Sequence, residues 1–499
     1  MASPEELRTI RKQKLHILKD LGINAYPSRS ASEITLKEVN ENFDEIFDAS
    51  RKITIAGRVM SMRGQGAILF IDMFDGTGRF QIVIKKDVEI EYVDADVKDA
   101  FELLKETVDI GDFIECRGSL FMTQREVPSM ELQSWRMLTK ALMPIPSEHF
   151  GIKDDDARYR KRYLDILLNP ELREMFEQKS RFWNTTRAFL IENNFTEVET
   201  PTIELTTGGA EANPFKTHHK DFDLNVFLRI SVGELWQKRL MAGGFPKTFE
   251  IGRIYRNEGS SPEHAQEFTN LEFYMAYTDY LEGMEFVEEL YKKIAQDVFG
   301  KLEFTTRGHT FNLGERWERI DYCDRIKEMT GIDVLKASED EMKIKLDELK
   351  VKYDGENRER LIDTLWKYCR KSIAGPAFLI NHPKIVSPLS KSLEGDSEKT
   401  ERFQPILAGS EVGNGFSELN DPQEQRRRFE EQQELIERGD DEAMMPEWEF
   451  VEMLEYGIPP TCGFGFGERL FAFLVDKPIR EIQLFPLMKP KEVDSERED

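Results

Sequence analysis

Cysteine is scarce in this chain: four thiols in 499 residues, Cys116, Cys323, Cys369 and Cys462, with no CxxC spacing among them. That scatter suggests neither a zinc site nor a disulfide framework, and reduced, structural thiols are expected. Long apolar runs are also missing. No stretch approaches the roughly 20 residues that a bilayer-spanning helix needs, and MASPEELRTIRKQK has charges with no apolar signal core behind them, so a cytoplasmic chain without membrane association is expected. Positive charge is in deficit, 69 Lys and Arg against 94 Asp and Glu, for a net charge of −25. Sequence-independent affinity for a phosphate backbone requires the opposite balance, which excludes a generally adhesive nucleic-acid binder and makes any RNA contact local. Candidates for such contact are Arg58, Arg63, Arg79, Lys85 and Lys86, and the cluster Arg158, Arg160, Lys161 and Arg162, although such runs are more often plain solvated surface. Internal repeats and long low-complexity tracts are absent, and only the polar stretch 491–499 reads as disordered.

What is present divides into two or more domains, since the chain is long for one core. Leu15, Leu18 and Leu21 recur at helical spacing until Gly22 and Pro27 stop them, a helical extension over 1–48. From 49 to 145 the text turns to five short strands, ITIAGRVMSM, ILFIDMF, RFQIVI, DFIECRGSLFM and SMELQSWRML, with a helix, DVKDAFELLKETV, between the third and fourth. That order fits an OB-fold, which binds single-stranded nucleic acid on its open face; the pattern alone leaves open an ordinary small barrel packed on a neighbour. A charged, Pro-containing connection occupies 146–169. A larger domain follows over 170–490, opened by Asn169 and Pro170 as cap and first helical residue. In its first helix Met175, Phe182 and Phe189, and likewise Phe176, Trp183 and Leu190, repeat at seven, giving a wide apolar face. The region 280–385 alternates helical runs with polar connections and is the least informative.

The segment 248–277 reads as two strands joined by a polar loop, and its alternation separates two faces. Leu271, Phe273, Met275 and Tyr277 form a core face, while Phe268, Asn270, Glu272 and Tyr274 form a face free to bind. In the first strand Glu250, Arg256 and Glu258 lie opposite Phe249, Ile251 and Tyr255. A fixed guanidinium with carboxylates and an aromatic ring suits a nucleotide with its metal. A solvated sheet face is the plainer reading of the same alternation.

TFEIGRIYRNEG followed by HAQEFTNLEFY resembles motif 2 of the class II aminoacyl-tRNA synthetases, and within them that of the bacterial-type lysyl-tRNA synthetases. KLHILKDLGINAYP resembles their N-terminal segment, the helix, strand and Thr200-Pro201 resemble motif 1, and GFGFGER resembles motif 3. The resemblance covers nearly the whole chain. It implies an α+β protein: an N-terminal five-stranded OB-fold β-barrel that binds the anticodon, then a class II catalytic domain, an antiparallel sheet flanked by helices. It implies ATP-dependent activation of L-lysine, transfer to the 3′ end of tRNA(Lys), Mg2+ accompanying ATP, and a homodimer joined through motif 1.

Site residues follow from the same resemblance. Arg256 takes the α-phosphate and the carboxylate, Arg469 the far phosphates, and Phe268 stacks on adenine, with Glu258 and His264 completing the nucleotide contacts. Lysine falls to Glu234, Glu272 and Glu418 as acids, Tyr274 and Asn414 as hydrogen-bond partners, and Gly208 and Gly209 near the backbone amine. Magnesium falls to Glu411, with Gln404 where relatives usually have glutamate, and Glu418 as a further candidate ligand. Phe70 and Gln81 match the anticodon positions; where relatives have two adjacent basic residues this chain has Met62 and Arg63, and Arg63 is the candidate. Val232 and Gly233 stand where relatives have one proline, and motif 3 is one residue shorter before Glu468, so the two segments are expected to lie close together. Two other readings remain open: a ligase that passes lysine to a non-tRNA acceptor, and a non-catalytic RNA-binding paralogue, whose mark would be loss of Arg256 or Arg469.

Overall fold

The computed structural model describes residues 3–65, 67–146, 151–209, 212–259, 264–353, 357–438 and 444–490. It divides into two compact units, Met1–Lys153 and Asp154–Asp499.

The first unit is the OB-fold barrel. Its strands are β1 (Lys52–Gln65), β2 (Ile68–Phe74), β3 (Arg79–Lys85), β4 (Phe113–Met122) and β5 (Pro128–Thr139), with a helix, Ala100–Thr107, between β3 and β4. The sheet closes because β3 pairs with β5 as well as β2, leaving β1 between β2 and β4. Alternation fills the interior: Ile55, Ile71, Ile82, Ile114, Met130 and Trp135 share one core. The 1–48 segment belongs to that core, since Leu18, Leu36, Val39 and Phe43 are buried in it. Its first helix, Pro4–Asp20, starts on a capping box in which Ser3 and Glu6 satisfy each other's backbone N–H groups. Of the three leucines that signalled this helix only Leu18 is fully buried, whereas Leu21 is 47% exposed, because the chain turns at the helix end.

The second unit is built on a mainly antiparallel sheet. Its central strands are β6 (Lys247–Tyr255), β7 (Glu267–Ala276), β8 (Arg402–Leu407), β9 (Asn414–Ser417) and β10 (Thr461–Gly467), in the order β8-β9-β10-β7-β6. One face carries Phe249, Leu271, Phe273, Phe464 and Phe466 into a core shared with helices Pro170–Glu192 and Tyr280–Ile294. The first of these helices is capped by Asn169 and buries Met175, Phe182, Phe189 and Leu190, so its apolar face is spent inside the unit. Tyr277, assigned above to the core face, lies beyond the end of β7, has a positive φ of 61° and is 79% exposed. The ladder that would have turned it inward stops at Ala276. Helices Tyr322–Thr330, Glu339–Glu348 and Arg358–Cys369 form a separate apolar cluster with Ile320, Leu379 and Ile406 at the sheet's far edge.

The four cysteines are free and buried. No helix among the described residues is long and apolar enough to cross a membrane.

Candidate active site

The register of the central sheet builds the floor of a cavity. Glu250 lies opposite Glu272, Glu272 opposite Gly465, and Gly465 opposite Asn414, so four strands place these residues in one row. The next row runs Tyr274, Gly463, Phe416. The three glycines of GFGFG are therefore alternate residues of one strand, facing the cavity where their neighbours carry side chains. A Cβ on Gly463 would stand 2.3 Å from Glu418 Oε1, and one on Gly465 2.8 Å from Glu272 Cγ. Their bareness makes room for the carboxylates of adjacent strands.

The cavity holds about 500 Å³ and is lined by Gly209, Glu234, Arg256, Glu258, His264, Phe268, Glu272, Tyr274, Gln404, Glu411, Asn414, Glu418 and Arg469. This size is ordinary for a small-molecule site. Of the expected catalytic-domain residues only Gly208 does not line it. Its α-carbon faces Leu235, whose Cδ1 would lie 2.1 Å from an added Cβ, so it serves close packing of the loop on helix Glu234–Ala242. Gly209, at φ +92° with Ser231 and Glu234 against it, takes the cavity position.

One end is acidic and dry. Glu234, Glu272 and Glu418 are each more than nine-tenths buried around Lys238, itself 1% exposed. The Lys238 Nζ is 2.9 Å from Glu234 Oε1 and 2.5 Å from Glu418 Oε2. Burial alone would lower the Lys238 pKa, but Glu234 and Glu418 outweigh it and raise it. Glu272 accepts hydrogen bonds from the Val232 N–H at 2.8 Å and the Tyr274 hydroxyl at 3.1 Å. Even so, burial, reinforced by the charge of Glu234, pushes its carboxyl up to about 7. Burial pushes Glu418 up to about 8 despite Lys238, and its Oε1 has no hydrogen-bond partner. Buried carboxylates that outnumber their resident cation favour a second one. Val232 donates to the Glu272 carboxylate and Gly465 is the cross-strand neighbour of Glu272, so the two segments of altered length both lie against that residue.

The other end is cationic. Arg256 lines the cavity, reaches the Ile230 carbonyl at 3.4 Å and lies 5.6 Å from the centre of the Phe268 ring. Burial lowers its pKa, with Glu258 and Glu272 acting against that. Arg469 opens the short helix that follows β10 and lines a second cavity of about 830 Å³ together with His264, Gln404 and Glu411, which also line the first. Arg307 and Arg370 face this second cavity. Burial brings the Arg370 pKa down to about 10, helped by the like charge of Arg469.

The expected magnesium pair does not fit a metal held by the protein. Glu411 accepts the Trp366 indole N–H at 2.5 Å on one oxygen and pairs with Arg370 through the other. The Gln404 amide oxygen lies 2.9 Å from His382 Nε2, and since an amide oxygen only accepts, the ring nitrogen donates to it; burial disfavours the charged form of that imidazole. Glu418 is committed to Lys238 at the acidic end. Among the described residues no group of three His, Cys, Asp or Glu could hold a metal ion.

Several residues of the site escaped the sequence reading. Lys238 had a visible signal, its position four residues after Glu234 on one helix. Arg229 had none: it is 2% exposed, holds Glu250 at 2.6 Å and so answers the charge on β6, while Thr200 binds the other Glu250 oxygen. Glu250 is thereby a structural residue of the floor. Arg370 and Trp366 come from the region 280–385 that was uninformative in sequence.

On the barrel, Arg63 lies opposite Phe70 and Gln81 opposite Asp72, so Arg63, Phe70 and Gln81 share the outer face. Arg63 donates to Gln81 Oε1 at 3.1 Å. Met62, one residue away, packs on the barrel core, because alternation allows only one of two neighbours to face out. The other basic candidates are engaged within the fold: Arg58 covers the Phe113 ring, Lys85 pairs with Glu131 and Lys86 with Glu102. The cluster at 158–162 is structural as well, Arg162 being fully buried against Asp165 and the Gln483 carbonyl, and Arg158 bridging Asp165 and Glu481.

Residues 154–489 match the family model of class II tRNA synthetases (D, K and N), and residues 53–138 match that of the OB-fold nucleic acid binding domain. The chain is 40% identical to the lysine–tRNA ligase of Thermotoga maritima over 99% of its own length and 98% of the relative's. It is 39% identical to that of Halalkalibacterium halodurans over 98% and 97%, and 38% identical to that of Moorella thermoacetica over 99% of both. With the antiparallel floor, the acidic end and the arginine end in one cavity, these matches place the chain in the class II aminoacyl-tRNA synthetases, among the lysine–tRNA ligases.

Proposed function

We propose that this chain activates L-lysine with ATP and transfers it to the 3′ end of tRNA(Lys), as a lysine–tRNA ligase. The observation that carries the reading is one cavity with two opposite ends: buried Glu234, Glu272 and Glu418 to hold an ammonium group, and Arg256 and Arg469 to hold phosphates. The lysine carboxylate attacks the α-phosphorus of ATP, the bond to the bridging oxygen breaks, and pyrophosphate leaves with its electron pair. A ribose hydroxyl of the tRNA then attacks the acyl carbon and AMP departs. Neither step needs a side-chain nucleophile. Arg256 offsets charge developing on the α-phosphate, Phe268 stacks on adenine, Glu258 and His264 contact the nucleotide, and the acidic end fixes the lysine side chain. Tyr274 orients Glu272 through its hydroxyl. Magnesium enters on ATP as part of the nucleotide substrate.

Arg256 and Arg469 both face the cavity, which favours a catalyst over a paralogue that has lost its chemistry. The barrel, with Phe70, Gln81 and Arg63 on one outer face, supports a tRNA acceptor over a small molecule or protein. The protein acts as a cytoplasmic homodimer. Ile203, Leu205, Phe222 and Leu224, exposed just after motif 1, give the apolar surface that a second copy would cover. Pyrophosphate exchange with each standard amino acid tests the reading: exchange with lysine is expected, and exchange with aspartate instead of lysine would overturn it. Phe70→Ala is expected to reduce tRNA charging about ten-fold while leaving exchange unchanged.

A further inference from the structure

A pair of residues expected to grip a cation has been given other partners. Both oxygens of Glu411 are engaged, one by the Trp366 indole at 2.5 Å and one by the Arg370 guanidinium, so its charge is already answered by a fixed cation. Gln404 brings no charge, and its carbonyl takes the His382 N–H at 2.9 Å. Magnesium requires near-ideal octahedral oxygen ligands, and this pair offers neither free oxygens nor net charge.

Around Arg370 the structure assembles a different device for negative charge. Arg370 directly follows helix Arg358–Cys369 and lines the cavity of about 830 Å³ together with Arg307 and Arg469. Arg307 and Arg469 lie over one ring, Phe473, with their guanidinium carbons 4.2 and 5.8 Å from its centre, a shared cation–π contact that helps to place both. This cavity is continuous with the site that holds Arg256, through His264, Gln404, Glu411 and Arg469. A guanidinium presents a rigid fork of donors that matches phosphate oxygens two at a time, and holding it in advance lowers the entropy lost on binding.

We propose that Arg370 is a phosphate-binding residue of the ATP site, its guanidinium held by Glu411 beside Arg307 and Arg469 so as to receive the β- and γ-phosphates and the departing pyrophosphate where a metal ion between Gln404 and Glu411 would otherwise stand. Glu411 is then a positioning residue for Arg370, and Trp366 and His382 hold the two side chains that frame it. This rests on the reading that the chain activates its amino acid with ATP.

Titration calorimetry on the full chain, with ATP and separately with inorganic pyrophosphate, in EDTA and in excess magnesium, decides the matter. The wild-type protein is expected to bind pyrophosphate in EDTA. Arg370→Ala should weaken that binding about ten- to a hundred-fold, the worth of a charge-assisted hydrogen-bonded contact, and Arg370→Lys should recover part of it. Lysine affinity should be unchanged in both, which also reports that the variants are folded. Removing Arg370 alone bares Glu411 to the phosphates, so the double variant Arg370→Ala with Glu411→Gln is the decisive comparison. A double variant that remains weak supports direct binding by Arg370. A return to wild-type affinity would show that Arg370 only masks Glu411, and would overturn the proposal. So would wild-type pyrophosphate affinity in Arg370→Ala, or wild-type binding that is absent in EDTA. Pyrophosphate binding is independent of amino-acid choice, so failure of lysine exchange in the wild type would count against the proposed activity and not against Arg370.

Discussion

The two ends of the cavity are made in different ways. The acidic end is centred on the sheet floor: Glu272 and Tyr274 alternate along β7, Gly463 and Gly465 leave space beside them on β10, and Glu234 and Lys238 from one helix meet Glu418, just after β9, against that floor. The cationic end is gathered from afar: Arg256 follows β6, Arg307 lies on a hairpin turn, Arg370 follows a helix, and Arg469 starts another. The acidic end is dry, with carboxyls pushed up to about 7 and about 8, and holds a resident ammonium. The cationic end opens into a cavity of about 830 Å³ and keeps several like charges facing it. Specificity for a small cation rests on burial, where each unmatched charge is costly, whereas holding a polyphosphate rests on many partly solvated contacts. Single changes should therefore act differently at the two ends.

The largest effect expected is at the cationic end. Arg256→Ala should reduce lysine-dependent pyrophosphate exchange by about a thousand-fold, because the charge developing at the reacting phosphate loses its fixed counterpart. A loss confined to KM for ATP would mean that Arg256 binds the ground state only.

Next is the acidic end. Glu272→Gln should raise KM for lysine about a hundred-fold, the cost of breaking a buried charge pair, with KM for ATP nearly unchanged. Equal losses for both substrates would erase the distinction between the ends.

A smaller effect is predicted with pH. Glu272 and Glu418 have carboxyls raised to about 7 and about 8, so both are largely neutral below those values and ionise above them. A lysine ammonium needs the ionised forms. Lysine affinity should therefore fall as the pH drops through this window, by up to about ten-fold per unit for each carboxyl that must ionise. Measured KM for lysine that is flat from neutral to mildly alkaline pH, at saturating ATP, would contradict the shifts. Lys238→Met should move the profile to higher pH, since the carboxylates then lose their resident partner.

The smallest effect is expected at Gln404. If its carbonyl stays with His382, Gln404→Glu should leave the magnesium midpoint of adenylate formation nearly unmoved. A midpoint that falls clearly would return Gln404 to the metal.

Much of the architecture was legible in the sequence because its signals are local. Strand alternation marked the working face of β7, turn glycines delimited the five barrel strands, and Asn169 with Pro170 announced the first helix of the second unit. Tyr277 was misplaced because alternation carries no mark of where a ladder stops. The basic cluster at 158–162 looked like surface, yet Arg162 is fully buried, since nothing near it in sequence announces the Glu481 and Gln483 carbonyls it binds.

The sequence by itself determined the barrel strands and the two faces of β7, because period-two patterning is a property of short segments, and its motifs carried the resemblance that implied the family and most of the residues found lining the first cavity. Only the tertiary structure decided how those residues are charged and partnered. Lys238 lies between Glu234 and Glu418, one a turn away on its own helix and the other on a separate segment that reaches it only in the folded unit. Arg370 meets Glu411 although the two are far apart along the chain and lie in stretches with no shared pattern. Burial removes the water that would otherwise screen these groups, so which charges face one another, and what each must bind, is set by packing between distant segments.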